Sequence, residues 1–154
     1  MPRVARITLE NACYHVITRG NQKQNVFLMD QDYYKYLRLL KKYRERYKFK
    51  LYAFCLMPNH VHLIMQVGAT DKLKKIMHGL NLSYTQYFNY KHKKSGHLWQ
   101  DRFKSKIIES EVYLLECVNY IENNPLRASL ISDIKKYPWS SHNNHGLIDS
   151  LFSL

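Results

Sequence analysis

Two histidines separated by one apolar residue are the sharpest chemical pattern in the sequence. In a β-strand, residues i and i+2 point to the same face, so His60 and His62 would project together while Val61 enters the opposite layer. Two adjacent imidazoles can hold one cation, although two ligands do not complete a site. A pair of ordinary hydrogen-bonded histidines on a partly exposed sheet face is the alternative interpretation.

A later helical segment offers the groups that this pair lacks. Glu116, Tyr120 and Asn124 recur at four-residue spacing and so lie on one side of a helix. On this spacing the Tyr120 hydroxyl can reach a phosphate while the Asn124 carboxamide oxygen binds the same ion as the histidines. Two alternatives stay open: Tyr120 as an interfacial aromatic, and Asn124, which precedes a proline, as a helix cap. Gln100 and Glu122 are substitute ligands if Asn124 only caps.

Hydrophobic periodicity and turn signals define the elements that must position these groups. Strands are predicted over residues 12–20, 50–57, 60–67 and 103–109. Asp30 is predicted to cap the first helix and Asp71 to start the second; the third is predicted to run from a Ser110 cap to about Asn123. The order is strand, helix, strand, strand, helix, strand, then an added helix that carries the tyrosine. This order indicates an α+β, ferredoxin-like split βαβ fold with an antiparallel sheet and packed helices.

The sequence also predicts three local features. The buried stripe of the third helix is predicted to consist of Leu114, Leu115, Val118 and Ile121. A basic loop is predicted over residues 90–96, and the chain after Ser129 shows only loose patterning.

Length and composition indicate one globular domain over residues 1–154. Hydrophobic residues make up 45% of the chain, with only 5 Gly and 4 Pro, which excludes collagen-like and Pro-rich disordered classes. No apolar run reaches the ~18 to 20 residues of a membrane span, and no stretch resembles a signal peptide, so we expect a cytoplasmic protein. The three cysteines lie far apart without metal-ligand spacing, and we interpret them as reduced packing residues.

Charge points to a polyanionic partner. Lys and Arg number 24 against 12 Asp and Glu, a formal net charge of +12. Nucleic acid suits this surplus better than an anionic membrane, because 13 Tyr, 6 Phe and 2 Trp can stack on exposed bases. A basic protein without a polyanionic partner is the alternative on charge alone.

Several segments together resemble a known family. The stretches MPNHVHLI (residues 57–64) and YIENNPLRA (residues 120–128) resemble the single-tyrosine HUH transposases, especially the IS200-like, REP-associated tyrosine transposases. Residues 14–21, 98–103 and 137–141 also look like family segments, so the resemblance covers almost the whole chain. The His-hydrophobe-His triplet is weak by itself, whereas the ordered set is specific.

The resemblance implies metal-assisted cleavage and rejoining of single-stranded DNA at hairpin-forming repeats. Tyr120 would be the nucleophile and form a 5′-phosphotyrosine, while His60, His62 and Asn124 would hold Mg²⁺ or Mn²⁺. These hard ions normally prefer oxygen to imidazole, so the identity of the metal is a point of tension. Nucleoid association is the matching location. A monomer with the tyrosine in its own site and a homodimer with exchanged tyrosine helices both remain open.

Basic, polar and aromatic residues in two regions are candidates for binding the DNA strand. They are Arg19, Asn21, Lys91, Lys93, Lys94, Trp99, Arg102 and Lys104. Two other functions remain open: a non-catalytic module that binds single-stranded nucleic acid, and a metal-dependent nuclease that uses water as its nucleophile.

Overall fold

The computed structural model describes residues 10–149, and the predicted ferredoxin-like architecture is confirmed. The strands are β1 (Glu10–Arg19), β2 (Lys50–Met57), β3 (His60–Ala69) and β4 (Lys104–Ile108). The helices are α1 (Asp30–Tyr47), α2 (Thr70–His92), α3 (Glu111–Glu122) and α4 (Asn124–Arg127). The chain therefore follows the order β1-α1-β2-β3-α2-β4, to which α3 and α4 are added.

The sheet has the strand order β2-β3-β1-β4, and all neighbouring strands are antiparallel. In the register between β1 and β3, Arg19 lies opposite His60 and Ile17 lies opposite His62. Directly opposed residues share a face, and alternation along β1 adds His15 to the same face. This surface, which carries His15, His60 and His62, is the histidine face of the sheet.

Both faces of the sheet are covered, but unequally. Helices α1 and α2 pack together over the face opposite the histidines, where Val16, Val61 and Leu63 are fully buried. Gly79 allows these helices to approach, since a Cβ there would lie 2.7 Å from the Tyr43 ring. On the histidine face, α3 packs mainly on β2 and, to a lesser extent, on β3.

The predicted starts of α1 and α2 are each wrong by one residue. Asp30 is the first helical residue of α1 and not its cap; the Asp32 carboxylate instead accepts hydrogen bonds from the N–H groups of Leu28 (2.8 Å) and Met29 (3.3 Å). Helix α2 begins at Thr70, so Asp71 lies in its first turn, where a carboxylate is favoured by the helix dipole.

The predicted loop over residues 90–96 is shorter in the structure, because α2 continues to His92. Two side chains of its last turn hold it to the start of α1. His92 Nε2 lies 2.9 Å from the Asp32 carboxylate, and Lys91 Nζ lies 3.8 Å from it. These contacts favour continued helix until Lys93, which takes the left-handed C-cap conformation with φ 54°.

Helix α3 begins and ends where the sequence predicts, but its buried side is rotated. The Ser110 hydroxyl caps it by accepting from the Tyr113 N–H at 3.1 Å. Leu115 is 41% exposed, so its predicted place in the buried stripe is wrong. Cys117 is buried instead of Leu115. Cys117 and Ile121 are four residues apart and so lie on the same side of the helix, which is the buried side.

The segment after Ser129 is more ordered than its pattern indicates. It lies alongside β2, an edge strand of the sheet, whose outer backbone groups need hydrogen-bond partners. The Leu56 N–H donates to the Trp139 carbonyl at 2.8 Å, and the Tyr137 hydroxyl donates to the Leu56 carbonyl. Trp139 also stacks on Tyr33 of α1 at 4.5 Å.

Among the residues from 10 to 149, no helix is both long and apolar enough to cross a bilayer. Cys13, Cys55 and Cys117 are free, and the last two are buried. The described residues share a continuous hydrophobic core. The single domain over residues 1–154 stays a prediction, because both ends lie outside the described residues.

Candidate active site

Two imidazoles meet on the histidine face. His60 and His62 project from β3 with ring centroids 4.9 Å apart and ring planes at 81°. His62 is only 4% exposed because α3 covers β2 and part of β3, whereas His60, at the end of the strand, is half-buried. The structure thus brings the two predicted ligands together.

Both nitrogens of His60 have a defined environment. Its Nδ1 lies 2.7 Å from the Asn59 Oδ1, so Nδ1–H donates to that oxygen. Its Nε2 then carries the lone pair, and the Asn124 Nδ2 approaches it at 3.3 Å. The Asn124 side chain makes no capping bond to α4, whose N-cap is Asn123. Asn124 is therefore a neighbour of the histidine pair, as the ligand hypothesis requires, and not a cap.

Burial keeps both imidazoles neutral at pH 7. Desolvation, reinforced by the Arg19 charge, lowers the pKa of His60 to about 4. Desolvation also lowers the pKa of His62 to about 3, with smaller contributions from His60, His15 and the two nearby arginines. A neutral imidazole offers a nitrogen lone pair, which is the form that binds a metal.

The donor set is two imidazole nitrogens and one carboxamide. Within the described part of the chain, no three His, Cys, Asp or Glu side chains are grouped to hold a metal ion. A half-turn of the Asn124 amide would present its oxygen where the nitrogen now lies. The residues fit a divalent ion that takes its remaining ligands from phosphate or water oxygens.

The two substitute ligands have other contacts. The Glu122 carboxylate accepts a hydrogen bond from the Ser141 hydroxyl and so anchors the C-terminal segment to α3. Gln100 is exposed, and its backbone N–H donates to the Arg19 carbonyl at 2.7 Å. Neither of these contacts joins Gln100 or Glu122 to the histidine pair.

Tyr120 lies on the exposed side of α3 and is 54% accessible. It precedes Asn124 by four residues, but α3 ends at Glu122 and Asn124 begins α4, so the two residues do not lie along one continuous helix as the spacing predicts. The Arg127 guanidinium lies over its ring at 3.9 Å from the centroid and donates to its backbone carbonyl. Helix α3, which carries Tyr120, is followed directly by α4, whose first residue Asn124 contacts His60.

A basic surface borders the histidine pair. On the part of the histidine face formed by β1 and β4, Arg19, Lys104 and Lys106 are exposed, whereas His15 and Ile17 are half-buried. Lys104 lies opposite Ile17, which itself lies opposite His62, so the three form one row across the sheet. These five residues are called the open strip.

The predicted lysines at the end of α2 have different environments. Lys91 donates to the Tyr87 hydroxyl at 3.0 Å and lies near the Asp32 carboxylate, so its ammonium already has protein partners. Lys93 and Lys94 are exposed after the last helical turn.

The other predicted strand-binding residues lie around the segment that precedes β4. Trp99 is only 9% exposed, and its Nε1 donates to the Asn81 carbonyl at 3.3 Å. Trp99 and Arg102 line a cleft of about 290 Å³ between α2 and this segment. The Asn21 N–H donates to the Leu98 carbonyl at 2.8 Å and joins the end of β1 to the same segment.

Three residues of the site were not predicted from the sequence. His15 Nε2 lies 2.9 Å from His62 Nδ1, Asn59 holds His60, and Arg127 covers Tyr120. Alternation places His15 on one strand face, but the pairing of β1 with β3 cannot be read from local pattern. The contact of Asn59 could have been predicted, since Asn59 directly precedes His60 in the sequence.

The chain is similar to a family of known proteins. The family model described as Transposase IS200 like matches residues 8–124. A candidate REP-associated tyrosine transposase of Haemophilus influenzae is 30% identical over 112 residues, which are 63% of this chain and 61% of that protein. The chain thus spans about three fifths of the length of this curated relative.

Two solved structures have a similar fold. One is described as a REP-associated tyrosine transposase bound to a REP hairpin; it has a TM-score of 0.76 and 19% identity, covering 97% of this chain and 89% of that chain. The other, a candidate transposase of Deinococcus radiodurans, has a TM-score of 0.52 and 22% identity, with 80% and 95% covered. At these identities the likeness shows the fold.

Proposed function

Because the chain belongs to the family of IS200-like transposases, we propose that it cuts and rejoins single-stranded DNA through a covalent link to Tyr120. Membership follows from the family model, which covers residues 8–124. The contact between Asn124 and His60 carries the proposal, since Asn124 begins α4 directly after the tyrosine helix α3 and so brings the end of that helix near the histidine pair. The relative solved with a REP hairpin supports hairpin-forming DNA as the substrate.

The chemical step is an exchange of phosphodiester partners. The Tyr120 Oη bonds to the phosphorus, the bond to the 3′ oxygen breaks, and that oxygen ends with the proton that the phenol gives up. The products are a 5′-phosphotyrosine and a free 3′-hydroxyl. Attack by a 3′-hydroxyl on the phosphotyrosine reverses the step, so resealing needs no ATP. The exposure of Tyr120 lets a DNA strand reach it.

We propose that His60 and His62 would hold Mg²⁺ or Mn²⁺ through their Nε2 atoms and that Asn124 would add its carboxamide oxygen. When bound, such an ion would supply charge that stabilises the phosphate and the departing 3′ oxygen. The neutral state of both imidazoles, which follows from their burial, supports this role.

Arg127 orients the nucleophile. Its guanidinium lies on the Tyr120 ring and is tied to the backbone of the same residue, so it restricts the position of the phenol. A cation over an aromatic ring also stabilises negative charge that develops on the phenol oxygen.

The open strip guides the strand to the histidine pair. Arg19 lies directly opposite His60, and Lys104 lies in the same row as His62. A strand whose phosphates bind these two residues would therefore extend to the histidine pair. Lys93 and Lys94, exposed beyond α2, and Arg102, at the cleft, extend the positive surface. Asn21 and Trp99 hold the segment that precedes β4 in place. Lys91 adds positive charge to this surface at the end of α2.

Trapping a covalent adduct tests the proposed function. A single-stranded hairpin oligonucleotide incubated with the protein and Mn²⁺ should yield a protein-linked strand, seen as a shifted band under denaturing conditions. Tyr120→Phe should abolish the adduct and leave binding intact. Tyr113→Phe, seven residues earlier on α3, is the matched control and should retain it.

The same assay separates the alternatives. Cleavage that persists in Tyr120→Phe would identify a nuclease that uses water. Salt-sensitive binding without cleavage by the wild type would identify a binding module. Either result contradicts the tyrosine mechanism.

We further propose that the tyrosine acts on the site of its own chain. The contact between Asn124 and His60 within one chain supports this arrangement. Mixing Tyr120→Phe with His60→Ala, each inactive alone, should then restore no adduct. Recovered activity in the mixture would show that tyrosine helices are exchanged between subunits.

A further inference from the structure

A third imidazole lies beside the histidine pair, on the neighbouring strand. His15, on β1, places its Nε2 2.9 Å from the Nδ1 of His62, and the two rings stack with centroids 5.2 Å apart. The contact joins adjacent strands, since His15 lies opposite Ile64, two residues beyond His62 along β3. His15 thus faces Nδ1 of His62, and the other nitrogen, Nε2, is the one that would bind an ion.

The contact requires a single proton between two nitrogens. When both imidazoles are neutral, one nitrogen donates its N–H and the other accepts with its lone pair. If His15 donates, His62 carries its own proton on Nε2 and has no lone pair for an ion. If His62 donates from Nδ1, its Nε2 lone pair is free.

His60 shows how a hydrogen-bond acceptor fixes the tautomer of a histidine in this site. There the Asn59 oxygen can only accept, so it fixes the proton on Nδ1 and leaves the Nε2 lone pair toward Asn124. A hydrogen-bond acceptor behind each ligand would give both histidines the same tautomer, with both Nε2 lone pairs directed to one point.

We propose that His15 is a positioning residue that accepts the Nδ1–H of His62 and thereby keeps the Nε2 lone pair of His62 available to a divalent ion. This inference rests on the proposed function, because it assigns the ion to His60 and His62. His15 is not a third ligand, since its Nε2 is occupied by the contact with His62. Metal-bound histidines are commonly oriented by such an acceptor.

Two variants separate the hydrogen bond from the volume of the ring. His15→Phe keeps an aromatic ring in the stack but offers no acceptor. His15→Gln offers a carboxamide oxygen that can accept from His62. Mn²⁺ binding, followed by the electron paramagnetic resonance of the free ion, should weaken about 10- to 100-fold in His15→Phe. His15→Gln should bind within about threefold of the wild type.

Nuclear magnetic resonance of ¹⁵N-histidine-labelled protein tests the same inference without metal. At neutral pH, the His62 signals should report a proton on Nδ1 in the wild type and in His15→Gln. In His15→Phe, the proton should shift toward Nε2. This spectrum of the wild type decides the question even if His15→Phe does not fold.

The outcomes distinguish the inference from the proposed function. A proton on His62 Nε2 in the wild type, or unchanged Mn²⁺ affinity in His15→Phe, overturns the role of His15 alone. Failure of the wild-type protein to bind Mn²⁺ overturns the metal site of the proposed function, and with it any action of His15 on a metal.

Discussion

Asn124 determines whether the protein supplies two or three ligands to the ion. Its side chain lies against His60 and makes no cap, so Asn124→Ala should change the free energy of unfolding by no more than about 0.5 kcal/mol. The same variant should lower Mn²⁺ affinity at least about tenfold. Asn124→Asp should retain or raise the affinity, because a carboxylate is a stronger ligand for hard cations.

Titration calorimetry with Mn²⁺ measures both Asn124 variants. Equal affinities for the wild type and Asn124→Ala would show that Asn124 is not a ligand.

Burial of the histidine pair also predicts how stability depends on pH. The pKa values of His60 and His62 in the folded chain are about 4 and about 3, against about 6.5 for an unfolded histidine. Between these values the unfolded chain binds more protons, so the free energy of unfolding rises with pH. The metal-free protein should therefore lose stability as pH falls from about 6.5 toward 4.

Urea unfolding in the presence of a chelator measures this profile. His62→Gln should flatten it, whereas His78→Gln, at an exposed position on α2, should leave its slope unchanged. A His62→Gln profile parallel to that of the wild type would contradict the burial argument.

At the residue scale, placement was predictable where it is encoded by local spacing. His60 and His62 share a strand face at any register. Tyr120 and Asn124 were predicted on one helix side, but α3 ends at Glu122 and Asn124 begins α4, so the four-residue spacing does not run along one helix. His15 was not predictable, because its contact with His62 depends on how β1 pairs with β3. The contact of Arg127 with Tyr120 depends on the turn between α3 and α4.

At the scale of elements, the C-terminal segment after Ser129 joins the sheet to α3; this connection is called the clasp. The buried Ser141 hydroxyl accepts from the Phe54 N–H at 3.1 Å and contacts the Glu122 carboxylate. Ser141→Ala should leave these groups unpaired and cost about 1–3 kcal/mol of unfolding free energy.

Ser140 is the matched control for this prediction. It is also fully buried, but its hydroxyl has no hydrogen-bond partner among the described residues. Ser140→Ala should therefore be neutral or stabilising. Urea midpoints of the two variants give the comparison, and equal losses in both would contradict the clasp.

Element order was predictable because each strand and helix has its own periodicity, and the bounds of β2 agree fully. The misplaced features depend on contacts between distant parts of the chain. Helix α2 extends because its last turn contacts Asp32, and the C-terminal segment is ordered by an edge strand that no local pattern reveals. Leu115 is exposed because the side that α3 buries is set by the sheet beneath it.

At the scale of the whole molecule, the net charge of +12 predicts strongly salt-dependent binding of single strands. Each phosphate contact to a single strand contributes about −0.7 to the slope of log affinity against log salt concentration. The double change Lys104→Gln and Lys106→Gln should reduce that slope by about 1.4. Lys41→Gln with Lys42→Gln, on exposed positions of α1, removes equal charge away from the open strip.

Fluorescence anisotropy with a labelled oligothymidylate over a range of salt concentrations measures these slopes. An equal loss in both double variants would show that net charge, and not the open strip, guides the strand.

The central claim is that one phenol and two imidazoles of a single chain act on one phosphodiester. Protease digestion of the covalent adduct, followed by mass spectrometry of the nucleotide-linked peptide, tests it most directly. We expect a phosphodiester remnant on Tyr120. A remnant on any other side chain, or complete cleavage without a linked peptide, would contradict it.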